Sequence, residues 1–288
     1  MGTESTNVRV LSTIAEVRSV VKAAQAAGET VGLVPTMGAL HEGHLQLVDA
    51  SQSECDQTLV SIFVNPTQFG PGEDGDRYPR TLQRDCELLA ERGSPLVFAP
   101  TVAEVYQPGN DTFVEVGAVA KPYEGEIRPG HFRGVATVVL KLFNIIPANC
   151  AYFGRKDYQQ ALVVQQMVRD FNIPIEIVIC PTIREPDGLA MSSRNAYLSP
   201  SERKQATAIY RSLKLAESLY RNGEADVDTL TKQMRGCLAD SNITNVDYIA
   251  FVAAGTVHPV ERITGPTVVA LAARVGATRL IDNHTINP

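Results

Sequence analysis

No apolar run in this 288-residue chain approaches the ~20 residues needed to cross a bilayer, so a membrane-spanning protein is not expected. A charged-then-apolar leader is likewise missing at the N-terminus. Met1-Gly2-Thr3-Glu4-Ser5-Thr6 formally fits an acylation pattern and reads as a chance match in a polar tail. Cysteines are few and scattered (Cys55, Cys86, Cys150, Cys180, Cys237), with no Cys-x-x-Cys. That argues against a disulfide framework or zinc knuckle and points to buried thiols in a reducing cytoplasm. Positive charge is not in excess: the formal net charge is −6. A general nucleic-acid binder, which needs a basic face, is not expected. Gly-x-Gly-x-x-Gly is absent, so the dinucleotide fingerprint is missing. There is no internal repeat, low-complexity segment or long linker.

What remains is an ordinary globular composition, 44% hydrophobic and 20% charged. Strand and helix patterns alternate through the first two thirds. Strands are expected at 31–34, 58–64, 96–98, 112–116, 150–153 and 175–180. Helices are expected at 14–26, 44–53, 82–91, 135–145 and 159–171. The strands are short apolar runs rather than alternating ones, as in a parallel sheet covered on both faces. Ser199-Pro200-Ser201-Glu202 is a helix start with a capping box, opening a helix to about Arg221. A second helix follows over 226–240, then strand-like runs at 246–252, 267–272 and 279–281. The fold class is therefore α/β: a parallel-sheet nucleotide-binding domain over 1–182, followed by a smaller α+β domain over 183–288.

The densest chemistry lies in Pro35-Thr36-Met37-Gly38-Ala39-Leu40-His41-Glu42-Gly43-His44, where a strand turns into a helix. Helix N-termini offer unpaired N–H groups and partial positive charge, which suit phosphate. Two glycines allow close backbone approach, and two histidines three apart share one side of the first turn. A zinc-protease helix would need histidines four apart, but position 45 is Leu. The stretch resembles the His-x-Gly-His signature of nucleotidyltransferases, which split ATP between its α- and β-phosphates.

Other segments share this logic. Phe63-Val64-Asn65-Pro66-Thr67-Gln68 ends a strand in amides that could read a hydroxy-carboxylate, or simply cap it. Gly154-Arg155-Lys156-Asp157-Tyr158-Gln159-Gln160 offers a free backbone, a point charge for phosphate and a possible N-cap or ribose contact at Asp157. Gln160 would point to the same opening. Met191-Ser192-Ser193-Arg194 lies near the domain junction and is similar to loops that close on ATP phosphates; two hydroxyls and a guanidinium suit an anionic transition state. Arg128-Pro129-Gly130-His131-Phe132-Arg133-Gly134 adds cations before a helix. Asp74, Asp76 and Asp85 flank Arg77-Tyr78-Pro79-Arg80 and could touch a metal, with Asp85 a candidate; the ligand stays open.

Together, in order and over nearly the whole chain, these segments resemble the pantoate–β-alanine ligase family. The resemblance implies a Rossmann-like domain with a smaller lid-like domain, a homodimer, and ATP with Mg²⁺. It implies ATP contacts from Met37, Gly38, Ala39, Leu40, His41, Glu42, Gly43 and His44, from Gly154, Arg155, Lys156 and Asp157, and from Ile183, Met191, Ser192, Ser193 and Arg194. His44, His41, Lys156 and Arg194 would act in catalysis, and Gln68, Gln160, Asn65 and Arg128 would bind pantoate or β-alanine. Position 155 departs from the acidic or amide residue expected there. The implied reaction condenses pantoate with β-alanine through a pantoyl adenylate, releasing AMP and pyrophosphate. The competing readings are a nucleotidyltransferase acting on a phosphorylated acceptor, which would need further cations, and a non-catalytic nucleotide sensor, which leaves the amides at 65, 68 and 160 unexplained.

Overall fold

The computed structural model describes residues 8–93 and 95–288; the acylation-like Met1–Thr6 segment lies outside them. Six parallel strands form the main sheet: β1 (Val10–Leu11), β2 (Val31–Thr36), β3 (Gln57–Ile62), β4 (Leu96–Phe98), β5 (Cys150–Gly154) and β6 (Glu176–Cys180). Their order is β1-β4-β3-β2-β5-β6. Between them run helices α1 (Ile14–Ala26), α2 (Glu42–Glu54), α3 (Leu82–Ala90), α4 (Val102–Val105), α5 (Glu124–Ile127), α6 (His131–Ile145) and α7 (Tyr158–Asp170). Apolar clusters cover both faces: α1, α6 and α7 pack over Leu33, Leu59 and Phe153 on one, α2 and α3 over Val34, Val60 and Tyr152 on the other. Two-sided burial explains why the strands read as unbroken apolar runs.

Because the strands are parallel, their carboxyl ends reach one edge. Thr36 of β2 pairs with Ile62 of β3, and Gly154 of β5 with Cys180 of β6. From β2 the chain continues to β3 on one side, while β5 lies on the other, so strand order reverses between β2 and β5. Ligands in open α/β sheets bind at such a reversal, beyond the carboxyl ends.

The C-terminal part contains α8 (Pro200–Arg221), α9 (Val227–Ala239) and the antiparallel sheet β7 (Val246–Ala253), β8 (Thr267–Val275) and β9 (Thr278–Ile286). Ser199 and Glu202 form the expected capping box, with Ser199 N–H to Glu202 Oε2 at 2.8 Å. A second core, from Leu189 to Ile286, packs α8 and α9 on the sheet.

Three expectations need correction. Residues 112–116 join no sheet; Val114 N–H donates instead to Thr137 Oγ1 on α6 at 3.0 Å, and Phe113 is exposed beneath the Arg133 guanidinium. β1 has no counterpart among the expected strands, because two residues carry no periodicity. α2 and α6 start two and four residues earlier than anticipated, because Glu42 and Gly43 in one and His131, Arg133 and Gly134 in the other interrupt the apolar pattern of the first turn.

The sheet and α2 approach closely at Gly32. A Cβ there would lie 2.1 Å from Ser51 Oγ, which hydrogen-bonds Thr58 Oγ1 at 2.7 Å. Overpacking a filled interior costs about 1–3 kcal/mol. Gly32→Ala is therefore expected to lower unfolding free energy by that order in guanidinium titration; an unchanged midpoint would show that the helix can move away freely.

Candidate active site

Four strand ends build one cavity. The segments after β2, β3, β5 and β6 supply Met37, His41, Gly43 and His44, then Asn65 and Gln68, then Gly154, Lys156, Asp157 and Gln160, and finally Pro181 to Ile183. Met191 to Arg194, near the start of the C-terminal part, close the rim. The cleft holds about 1210 Å³ including its open mouth.

The turn after β2 is held by a buried carboxylate. Gly38 has φ +81°, and a Cβ there would lie 3.0 Å from both Asp85 Oδ2 and Ile62. Ala39 also takes a positive φ of 50°, costly for an L side chain. Asp85, from α3, accepts the Ala39 and Leu40 N–H groups at 3.1 and 2.8 Å and the Thr81 hydroxyl at 3.2 Å. These bonds offset the strain. They also occupy the carboxylate, so Asp85, named above as a metal candidate, serves as the anchor of the turn.

The two histidines follow from that turn. His41 is the N-cap of α2, and its Nδ1 accepts the Gly43 N–H at 3.1 Å. His44 Nδ1 accepts the His41 N–H at 3.4 Å. The rings lie 4.1 Å apart, tilted by 37°. With both Nδ1 atoms accepting, each neutral ring carries its proton on Nε2. Burial, then the Lys156 charge, pushes the His41 pKa down to about 4. Burial, then His41 and Lys156, holds His44 well below its ordinary value. The site therefore presents two neutral N–H donors.

The charged side is set by contacts across the chain. Asn283 of β9 donates to the Arg155 and Lys156 carbonyls, both at 2.9 Å, fixing the turn that carries Lys156. Arg194 forks onto Asp74 at 2.8 and 2.8 Å, and Tyr78 shares a 2.8 Å hydroxyl contact with Ser193. Burial would raise the Asp74 pKa, but the Arg194 hydrogen bonds and charge hold it below the usual carboxylate range. The amide side is more rigid. Asn65 donates to Gln68 Oε1 at 3.1 Å and to the Gly134 carbonyl at 3.2 Å, and accepts from Tyr106 at 2.9 Å.

Several expected site residues stand off the cavity. Glu42 faces Arg92, with Nη2 contacts of 2.9 and 2.8 Å. Gly38, Ala39 and Leu40 shape the turn without lining the cleft, and Arg155 lies beside it. Asp157 lines the cleft, but its side chain does not cap α7. Arg128 is not on this wall; it is held by Glu73 at 2.7 and 2.7 Å. Sequence reasoning missed Glu73 and Tyr78 as partners of the site, since nothing local marks an ion pair 55 residues long or a hydroxyl contact spanning 115.

A family model described as pantoate-beta-alanine ligase matches residues 9–285. A pantothenate synthetase of Roseiflexus castenholzii is 52% identical over 276 residues, covering 96% of this chain and 98% of that one. One from Thermotoga neapolitana is also 52% identical, with 96% and 99% covered. The crystal structure of pantothenate synthetase from Thermus thermophilus is similar with a TM-score of 0.92 at 46% identity, covering 97% of this chain and all of that one. The pantoate-beta-alanine ligase of Francisella tularensis, complexed with beta-gamma ATP and beta-alanine, has a TM-score of 0.80 at 36% identity, with 96% and 97% covered.

Histidine pKa values depressed in the folded state make stability depend on pH. Between an ordinary value of 6.5 and about 4 the unfolded chain binds more protons at His41 than the folded one. Unfolding free energy then rises with pH across that window and falls as pH drops through it. Guanidinium midpoints are expected to decrease from pH 7 to pH 5, with a shallower decrease in His41→Gln; identical slopes would contradict the depressed pKa.

Proposed function

Since this chain belongs to the pantoate–β-alanine ligase family, we propose that the cleft at the β2–β5 reversal performs the family's reaction, condensing pantoate with β-alanine and splitting ATP to AMP and pyrophosphate. The observation that carries the reading is the arrangement of two neutral histidines, one lysine and three neutral amides, Asn65, Gln68 and Gln160, around one cavity.

In the first half-reaction a pantoate carboxylate oxygen attacks the α-phosphorus of ATP and pyrophosphate leaves. Negative charge builds on phosphoryl oxygens, and preorganised donors are the main source of rate in such a step. His41 and His44 offer Nε2–H donors without adding charge; Lys156 supplies a point charge. Arg194 is neutralised by Asp74 in the ligand-free protein, so a triphosphate must share or displace that carboxylate. Gln68 and Gln160 are assigned to pantoate: a neutral amide can orient a hydroxy-acid while leaving its carboxylate nucleophilic. In the second half-reaction the β-alanine amine attacks the acyl carbon and AMP leaves. Water would destroy the mixed anhydride, so residues 183–288 are proposed to close as a lid.

Among the described residues no three His, Cys, Asp or Glu side chains gather as a metal cage. Asp74 and Asp85 are occupied, which leaves Asp157 as the carboxylate on the cavity wall. One carboxylate beside a triphosphate suits Mg²⁺, which retains waters and is held largely by phosphates. When bound there it would neutralise phosphate charge; Asp157 would be its protein contact. We further propose a homodimer and, in keeping with five free cysteines, a cytoplasmic setting.

His44→Ala is expected to lower pyrophosphate release with ATP and pantoate alone by ~10²–10³, the usual effect of losing one transition-state donor. Circular dichroism should remain unchanged. Near-normal release by the folded variant would remove His44 from the mechanism. Wild-type protein given β-alanine as well should form AMP and pantothenate in equal amounts; transfer of the adenylyl group into a stable product would favour the phosphorylated-acceptor reading.

A further inference from the structure

Behind Gln68 runs a polar chain that the chemistry above leaves unused. His131 opens α6 and is buried. Its Nδ1 lies 2.9 Å from the Gln68 main-chain oxygen, and its Nε2 lies 3.0 Å from Arg128 Nη1. A carbonyl can only accept and a guanidinium can only donate. The proton is therefore on Nδ1, the lone pair is on Nε2, and the ring is neutral. Burial, then the Arg128 charge, pushes its pKa down to about 4, in agreement with that geometry. This tautomer is the reverse of the one in His41 and His44.

Arg128 is fixed in turn. Its Nε and Nη2 meet Glu73 Oε1 and Oε2, each at 2.7 Å. Glu73 lies five residues beyond Gln68, so the chain of bonds returns to the loop that it supports. Gln68 needs such support. It ends a three-residue 3₁₀ turn, Pro66–Gln68, too short to be stabilised by its own hydrogen bonds. α6 lies directly against this turn: a Cβ on Gly134 would come within 2.3 Å of the Thr67 carbonyl oxygen.

We propose that His131 is a positioning residue for substrate selection. It holds the Gln68 peptide so that the side-chain amide faces the cavity, and Arg128, clamped by Glu73, occupies the Nε2 lone pair and keeps the ring neutral. Arg128 thereby acts at second hand on the hydroxy-carboxylate, from outside the cavity wall. The inference rests on the assignment of Gln68 to pantoate, and the test separates the two.

Binding of pantoate and of a non-hydrolysable ATP analogue is measured by calorimetry on the full chain for Gln68→Ala, His131→Ala, His131→Asn and His131→Gln. An asparagine amide nitrogen reaches the place of Nδ1, a glutamine one that of Nε2. His131→Ala and His131→Gln are expected to weaken pantoate about three- to tenfold, the usual range for one neutral hydrogen bond. ATP-analogue binding should be unchanged, and His131→Asn should remain within about twofold of wild type. If His131→Ala does not fold, the Asn and Gln pair decides alone. ¹⁵N resonances of His131 should report a protonated Nδ1 and a bare Nε2; in Arg128→Ala, Nδ1 should keep its proton while Nε2 takes one up at higher pH than in wild type. Equal pantoate affinity in the Asn and Gln variants, equal losses for both ligands, or an Nε2–H ring in wild type would overturn the proposal. If Gln68→Ala binds pantoate normally, the assignment of Gln68 itself is wrong, whatever the His131 variants do.

Discussion

The Asp85 carboxylate beneath the Gly38–Ala39 turn is the constraint on which the site depends. Two successive residues with positive φ would not hold by themselves, and one of them carries a side chain. Two backbone N–H groups converging on one buried carboxylate compensate that strain. Once the turn is fixed, α2 must begin at His41, and the two imidazoles fall side by side on its first turn. Their mutual burial then keeps them neutral. A carboxylate that fixes a turn thus helps to bury the two groups assigned to catalysis, and burial keeps them neutral.

The same logic recurs on the opposite wall. Asn65, Tyr106, Gly134 and His131 converge on a 3₁₀ turn of three residues and leave Gln68 few conformations. Across the cleft, by contrast, the cationic wall is assembled from distant pieces. Asn283 of β9 holds the Lys156 turn, and Asp74 of the 70–80 loop holds Arg194. Both links join the C-terminal part to the sheet domain. The positions of Lys156 and Arg194 thus depend on contacts that cross between the two parts, whereas Gln68 is held within the sheet domain. Such a division suits a reaction in which phosphate groups leave midway and the acyl group must stay.

Histidine tautomers follow the same division of labour. His41 and His44 accept backbone N–H at Nδ1 and offer Nε2–H to the cavity. His131 donates from Nδ1 to a carbonyl and accepts a guanidinium at Nε2. All three are neutral because they are buried, but the partner on one nitrogen decides what the other can do.

The sequence by itself determined the alternation of buried strands and amphipathic helices, the capping box at Ser199, and the two histidines at a strand-to-helix turn. These signals are local: each comes from residues within a turn or two of one another. The parallel sheet followed from strands without alternation, since burial on both faces leaves no polar side. Only the tertiary structure decided that residues 112–116 find no strand partner and that two residues at 10–11 do, because pairing depends on what lies alongside rather than on propensity. It also decided the partners of Asp85, Glu73 and Arg128. A carboxylate bound to backbone N–H and one free for a metal look alike in sequence. Their difference is a hydrogen-bond partner 45 or 55 positions away, which only the folded chain brings within 3 Å.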